Sequence, residues 1–132
     1  WKKKHPHTLV LSDETGYSRN YKKSLYPGYR KSRKLYFKVN YKAPKQFHPN
    51  EHVMGLEVEG KFKAYLFKEL SRKGENTFAD AFAGISFKVH WDEQELNAYI
   101  TDVNDKLLVT MTGFWFVWFA FHPETEVYEA PE

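Results

Sequence analysis

The chain has 132 residues, enough for one domain with a hydrophobic core, and 18% aromatic within 42% apolar residues excludes intrinsic disorder. It contains no cysteine, so it supplies no disulfide, thiolate metal ligand or cysteine nucleophile. The net charge of +3 conceals a split: residues 1–50 carry 13 Lys and Arg against 2 Asp and Glu, and residues 51–132 carry 7 against 15, balances of +11 and −8. Such a split either steers an acidic partner to one face or lets the two halves complement each other.

Taken in order, the chain opens on a motif that it later repeats. Trp1, His5, Pro6, Thr8 and Val10 form W-x3-HP-x-T-x-V, and Trp118, His122, Pro123, Thr125 and Val127 form it again at the same offset. The duplication predicts a short buried helix near each end, followed by a sharp exit into a strand. The chain starts inside the first copy and without methionine, which reads as a processed or truncated N-terminus. Residues 8–11 are then a short apolar strand, stopped by the turn-forming SDETG. Residues 16–34 lack any period and read as a long tyrosine-stapled loop, with a turn at Pro27-Gly28. In residues 35–41, Leu35, Phe37, Val39 and Tyr41 alternate with Tyr36, Lys38 and Asn40, the pattern of a half-buried strand. Residues 42–51, with two prolines, are a loop.

Residues 52–58 form a strand with Met54, Leu56 and Val58 inward, turned at Glu59-Gly60 into a returning strand over 61–67. There Phe62, Ala64 and Leu66 are expected inside, with Lys61, Lys63 and Tyr65 outside. Residues 68–72 suit one helical turn, 73–76 are a turn, and 78–84 read as a small, mobile stretch. Strands are expected next at 85–91, with Ile85, Phe87, Val89 and Trp91 on one face, at 96–103 and at 107–111.

The most hydrophobic stretch, 112–127, reads as an aromatic helix with Thr112 as its N-cap. Phe114, Trp115, Trp118, Phe119 and Phe121 surround most of its circumference, so burial nearly all round is expected. Pro123 biases His122 out of the helical region and ends it. About ten apolar residues are too few to span a bilayer. The fold class is therefore all-β, mainly antiparallel, a meander or partly closed barrel with one or two short buried helices, in a single domain over residues 1–132.

At this point a resemblance emerges. HPHTLVLSDETGYSRNYKKSLYPGY, VMGLEVEGKFKAYLFKEL and FWFVWFAFHPETEVY stand in the order of the W-x3-HP-x-T-x-VLS-x-x-TG, KAYP and FWFAW…FHPET blocks of the domain of unknown function 3179 family, which the chain resembles over almost its whole length. The resemblance implies an exported bacterial or archaeal protein, periplasmic, secreted or lipid-anchored, and places Trp1 near a junction between structural repeats. It implies no particular activity. Leu66 stands where the family has proline after KAY, 78–84 matches the ND…GG segment loosely, and the cysteine-containing segment of many members is absent.

Three sets of residues are candidates for chemistry. His5-x-His7 and His48-x3-His52, with His90, have spacings that metal ligands can use, yet no carboxylate or cysteine set accompanies them in a recognised pattern. Glu57 with Glu59, and Asp92, Glu93 and Glu95, are paired carboxylates of the kind glycosidases use across a cleft, or simply exposed hairpin charge. No phosphate-binding loop, dinucleotide fingerprint or nucleophile elbow is present, and no catalytic residue, metal or cofactor is assigned. Most distinctive are residues 17–42, where tyrosines interleave with lysines and arginines. Such a face can grip an acidic protein, an anionic glycan or single-stranded nucleic acid, or its tyrosines can merely staple the loop while the lysines are solvated. The expectation is a non-catalytic exported accessory module that docks an acidic protein partner through Arg19, Tyr21, Tyr26, Tyr29, Arg30, Lys31, Arg33 and Lys34. The alternatives are a metal protein or enzyme built on His48, His52 and His90, and a polyanion or nucleic-acid binder, which exported character disfavours.

Overall fold

The computed structural model describes residues 2–131. Its regular elements are β1 (His52–Val58), β2 (Lys61–Leu66), α1 (Phe67–Lys73), β3 (Thr77–Phe82), β4 (Ile85–Asp92), β5 (Asn97–Asp102), β6 (Thr110–Phe114), α2 (Trp115–Phe121) and β7 (Glu126–Val127). They build two open sheets, β6-β1-β2-β7 and β3-β4-β5, with every named pair antiparallel except β2 with β7. The fold is all-β with two short helices, as expected. The β3-β4-β5 sheet is a meander, and neither sheet closes into a barrel.

The hairpin turns arise from residues that accept positive φ. Glu59 (φ 49°) and Gly60 (φ 75°) join β1 to β2 through a two-residue turn, with Val58 opposite Lys61. Ala83 (φ 49°) and Gly84 (φ 84°) do the same between Phe82 and Ile85. That second hairpin corrects the reading of 78–84 as a small mobile stretch, because Thr77–Phe82 is a full strand of the second sheet. Asp80 hides the pattern, standing between Phe78 and Phe82 with its carboxylate turned toward the core side.

The first sheet is a middle layer. On one side, Met54, Leu56 and Tyr65 pack against Phe78, Phe87, Val89, Trp91 and Ile100 of the second sheet, with Phe67 and Leu70 of α1. On the other, Val53, Ala64 and Leu66 meet Trp115 and Trp118 of α2 and Phe47 of the preceding loop. Alternation therefore misassigns β2: Lys63 and Tyr65, expected outside, are 5% and 0% exposed, because both faces of this strand are covered.

Helix α2 also departs from expectation. Thr112 lies in β6 opposite Met54 and caps nothing. The helix starts at Trp115, whose N–H donates to the Glu51 carbonyl (2.8 Å), while Phe116 N–H donates to the Pro49 carbonyl (2.9 Å). Loop carbonyls thus satisfy first-turn donors that a side-chain cap would otherwise take. Trp115, Phe116 and Trp118 are buried but Phe121 is 73% exposed, so the helix presents one side to the sheet and is not buried all round. Among the described residues the first motif copy forms no helix, since Lys2–Lys4 offer no apolar face, and Trp1 lies outside them. Residues 8–11 and 35–41 form no strand either. Their alternation finds no sheet edge; instead Phe37 packs on Phe116 and Tyr36 on Tyr29.

Two contacts set the layers. A Cβ on Gly55 would clash with three ring atoms of the Trp118 indole, so β1 and α2 approach as closely as only glycine permits. On the opposite face, Lys63 Nζ sits 3.0 Å from Asp80 Oδ2 of the second sheet and 2.9 Å from Glu126 of β7. Tyr65 donates its hydroxyl proton to the same Asp80 oxygen at 2.7 Å. Burial pulls the Lys63 pKa down, but the bonds to Glu126 and Asp80 outweigh it and the net shift is upward. Burial, followed by the Asp80 carboxylate, holds the Tyr65 phenol far above its ordinary range.

Gly55→Ala should overpack this seam and cost about 1–3 kcal/mol in urea unfolding, more if the ring cannot move; parental stability would show that the helix yields freely. Both titrating groups of the lock are raised above ordinary values of 10.5 and 10.0, so folding favours their protonated forms. Their stabilisation is whole below about pH 10 and is lost as pH rises toward the folded-state values. Lys63→Met is expected to lower stability at neutral pH by about 2 kcal/mol, less than for a wholly buried pair because Glu126 faces solvent. Its stability should also decline less steeply with alkali than the parent's, as read by unfolding at several pH values.

Candidate basic and aromatic interaction site

The N-terminal loop is held to the sandwich through a chain of backbone contacts. The first turn of α2 anchors residues 49–51, and Phe47 packs edge-on against Trp115 at 5.9 Å. From this anchor Asn50, only 7% exposed, donates through Nδ2 to the carbonyls of Tyr29 (2.8 Å) and Ser32 (3.3 Å). Arg33 Nη2 reaches back to the carbonyls of Lys45 (2.9 Å) and Phe47 (2.8 Å). Gly28, at φ 78°, admits the single 3-10 turn Tyr29–Lys31. Around it the rings of Tyr26, Tyr29 and Tyr36 cluster at centroid distances of 4.8–6.5 Å.

These ties leave a groove of about 580 Å³ between the loop and α2. Leu35, Phe37, Val39 and Phe116 give it an apolar floor, and Arg33, Lys38, Lys42 and Lys45 bring four cations to its lining without any carboxylate. An apolar floor under a cationic rim suits an anionic group carried beside a hydrophobic one, since the rim attracts charge and the floor rewards desolvation.

The structure distributes the eight sequence-predicted contacts over three places. Arg33 enters the groove, though its guanidinium is partly committed to the two carbonyls. Tyr26 and Tyr29 belong to the tyrosine cluster, with Arg30 and Lys31 exposed on the 3-10 turn and Lys34 exposed just after it. Arg19 and Tyr21 line a separate hollow with Lys23, Leu25 and Pro27, where Arg19 lies 6.0 Å from the Tyr17 ring and the Tyr21 hydroxyl pairs with that of Thr15. Missing from the predicted set were Lys38, Lys42, Lys45, Phe37 and Phe116, all of which line the groove. Phe37 carried a signal, read as the inward face of a strand; nothing local in the sequence joins it to Phe116.

The histidines do not converge. His52, on the first sheet, stacks on Phe67 (5.6 Å) and meets Phe114 at a tilt (5.1 Å). His90 lies on the second, its Nε2 2.9 Å from the Thr101 hydroxyl and its Nδ1 3.2 Å from that of Thr77. His48 is in the loop, accepting from the Asn50 N–H through Nδ1. Among the described residues no group of three or more His, Asp or Glu is arranged to hold a metal ion. None of their helices is long and apolar enough to cross a membrane.

A family profile described as "Protein of unknown function (DUF3179)" matches residues 1–106. The matched span covers the first motif copy, the basic loop and strands β1 to β5, and it ends before β6, α2 and β7. No curated protein and no solved structure matches the chain. The chain belongs to the domain of unknown function 3179 family.

Proposed function

We propose that this chain is a non-catalytic, exported interaction module that docks an acidic protein partner through its basic N-terminal face. The observation that carries the reading is the groove whose apolar floor of Phe37 and Phe116 is lined by Arg33, Lys38, Lys42 and Lys45 and by no carboxylate. Around it Arg30, Lys31 and Lys34 extend the cationic surface, and Tyr26 and Tyr29 supply aromatic contact area of the kind enriched at interfaces. Arg19 and Tyr21 line a separate hollow in the same basic half of the chain. The charge split of the chain favours one approach direction, because a partner drawn to the first half is repelled by the acidic second half.

The partner in this reading presents a carboxylate-rich surface with an apolar side chain that fits the groove. The test uses the complex isolated gently from the protein's own source and identified by native mass spectrometry. Reversing Lys38, Lys42 and Lys45 to Glu should weaken that complex roughly tenfold or more, about 1.4 kcal/mol, and leave the chain's own unfolding unaltered, since all three side chains are exposed. Arg33 is left intact because its loss would also release the loop. Unaltered affinity in the triple variant would sink the proposal. Tight, steeply salt-dependent binding to a single-stranded oligonucleotide, with no protein retained, would replace it by the polyanion reading.

A further inference from the structure

The two copies of W-x3-HP-x-T-x-V share a turn but not an ending. In the second copy Trp118 covers Gly55 and donates from Nε1 to the Thr125 hydroxyl at 3.0 Å. His122 stacks on Phe62 at 3.8 Å, and Thr125 N–H donates to the His122 carbonyl at 3.1 Å. The chain then runs out as β7, with Val127 parallel to Ala64 of β2 and Tyr128 N–H donating to the Ala64 carbonyl at 2.9 Å. Every motif position thus serves one act, adding a parallel strand to the β1–β2 hairpin.

The first copy repeats the turn at the equivalent positions, Thr8 N–H donating to the His5 carbonyl at 3.1 Å. Beyond that turn the chain is apolar and bare: Leu9 is 94%, Val10 73% and Leu11 98% exposed, and residues 9–11 belong to no strand. Three consecutive exposed aliphatic residues are unfavourable in water, and the preformed turn before them lowers the ordering cost of docking. We propose that residues 8–11 are a docking strand, which adds in parallel to the edge of a β1–β2-type hairpin in a second module of the same architecture. The receiver is defined chemically: a free strand edge and an apolar cluster to cover Val10, as β2 and the cluster around Trp115 do for Val127 in the second copy. A second copy of this chain is a poor receiver, because its own Val127 already fills that edge.

Hydrogen exchange read by mass spectrometry tests this without reference to the basic groove, so its failure and that of the partner reading are separable. In the 132-residue chain alone, the amides of residues 9–11 should exchange at nearly the unprotected rate. In the protein isolated from its own source with whatever it is joined or bound to, they should slow roughly tenfold or more. Val10→Asp in that context should restore fast exchange while the melting temperature of the isolated chain stays unaltered, since Val10 is exposed in it. Fast exchange in the native material overturns the proposal. Protection that appears in the isolated chain merely on raising its concentration also overturns it, by making a second copy the receiver.

Discussion

The contact on which this structure depends is the close approach of the Trp118 indole to Gly55. A side chain at position 55 would hold α2 away from the sheet; its absence lets the helix lie on β1 and β2 and seals Val53, Ala64 and Leu66 from water. Once α2 is seated, its first-turn N–H groups point at residues 49–51 and fix them, and through Asn50 and Arg33 that anchor reaches the tyrosine loop. The groove is therefore a remote consequence of one missing methyl group. A loop with scarcely any regular structure acquires a defined shape because its ties are backbone carbonyls held by two side chains.

The other face of the same sheet solves a different problem. Burying Lys63 would be costly alone, and it is tolerated because two carboxylates receive it while Tyr65 occupies the shared oxygen of Asp80. The trio also discriminates registers. A one-residue slip of β3 would carry Asp80 to the opposite face and leave a buried ammonium short of an acceptor, so the lock penalises misalignment more than it rewards alignment. Apolar packing brings the sheets together; the lock decides how they are aligned.

These two arrangements leave the chemistry of the molecule concentrated at its surface. The carboxylates of the lock are spent on internal pairing, as are the hydroxyls around His90, whereas the lysines of residues 38–45 meet no carboxylate in the groove that they line. Cations assembled over an apolar floor offer recognition chemistry for an anionic group carried beside a hydrophobic one. Leu9, Val10 and Leu11, exposed after the first HP turn, add an apolar element to that surface.

Elements whose determinants are local were legible from residues alone. The β1–β2 hairpin is set by Glu59-Gly60, the helix stop at His122 by Pro123, the β4 and β5 strands of the meander by short alternating runs between turn residues, and the duplicated motif by spacing. What depended on which layer covers which face was not legible. Alternation reports that a strand has two faces, but not that both are buried, so Lys63 and Tyr65 read as solvent-facing. It cannot report whether a pairing edge exists either, so residues 8–11 and 35–41 read as strands and are not. The basic loop declared its charge and its tyrosines; its groove did not appear, because Phe37 and Phe116 are 79 residues apart in sequence and only the seating of α2 brings their rings to 5.7 Å. Composition and spacing determined the class of the fold and the sign of its surface, while the burial of one sheet on both sides decided everything that depends on contacts between distant residues.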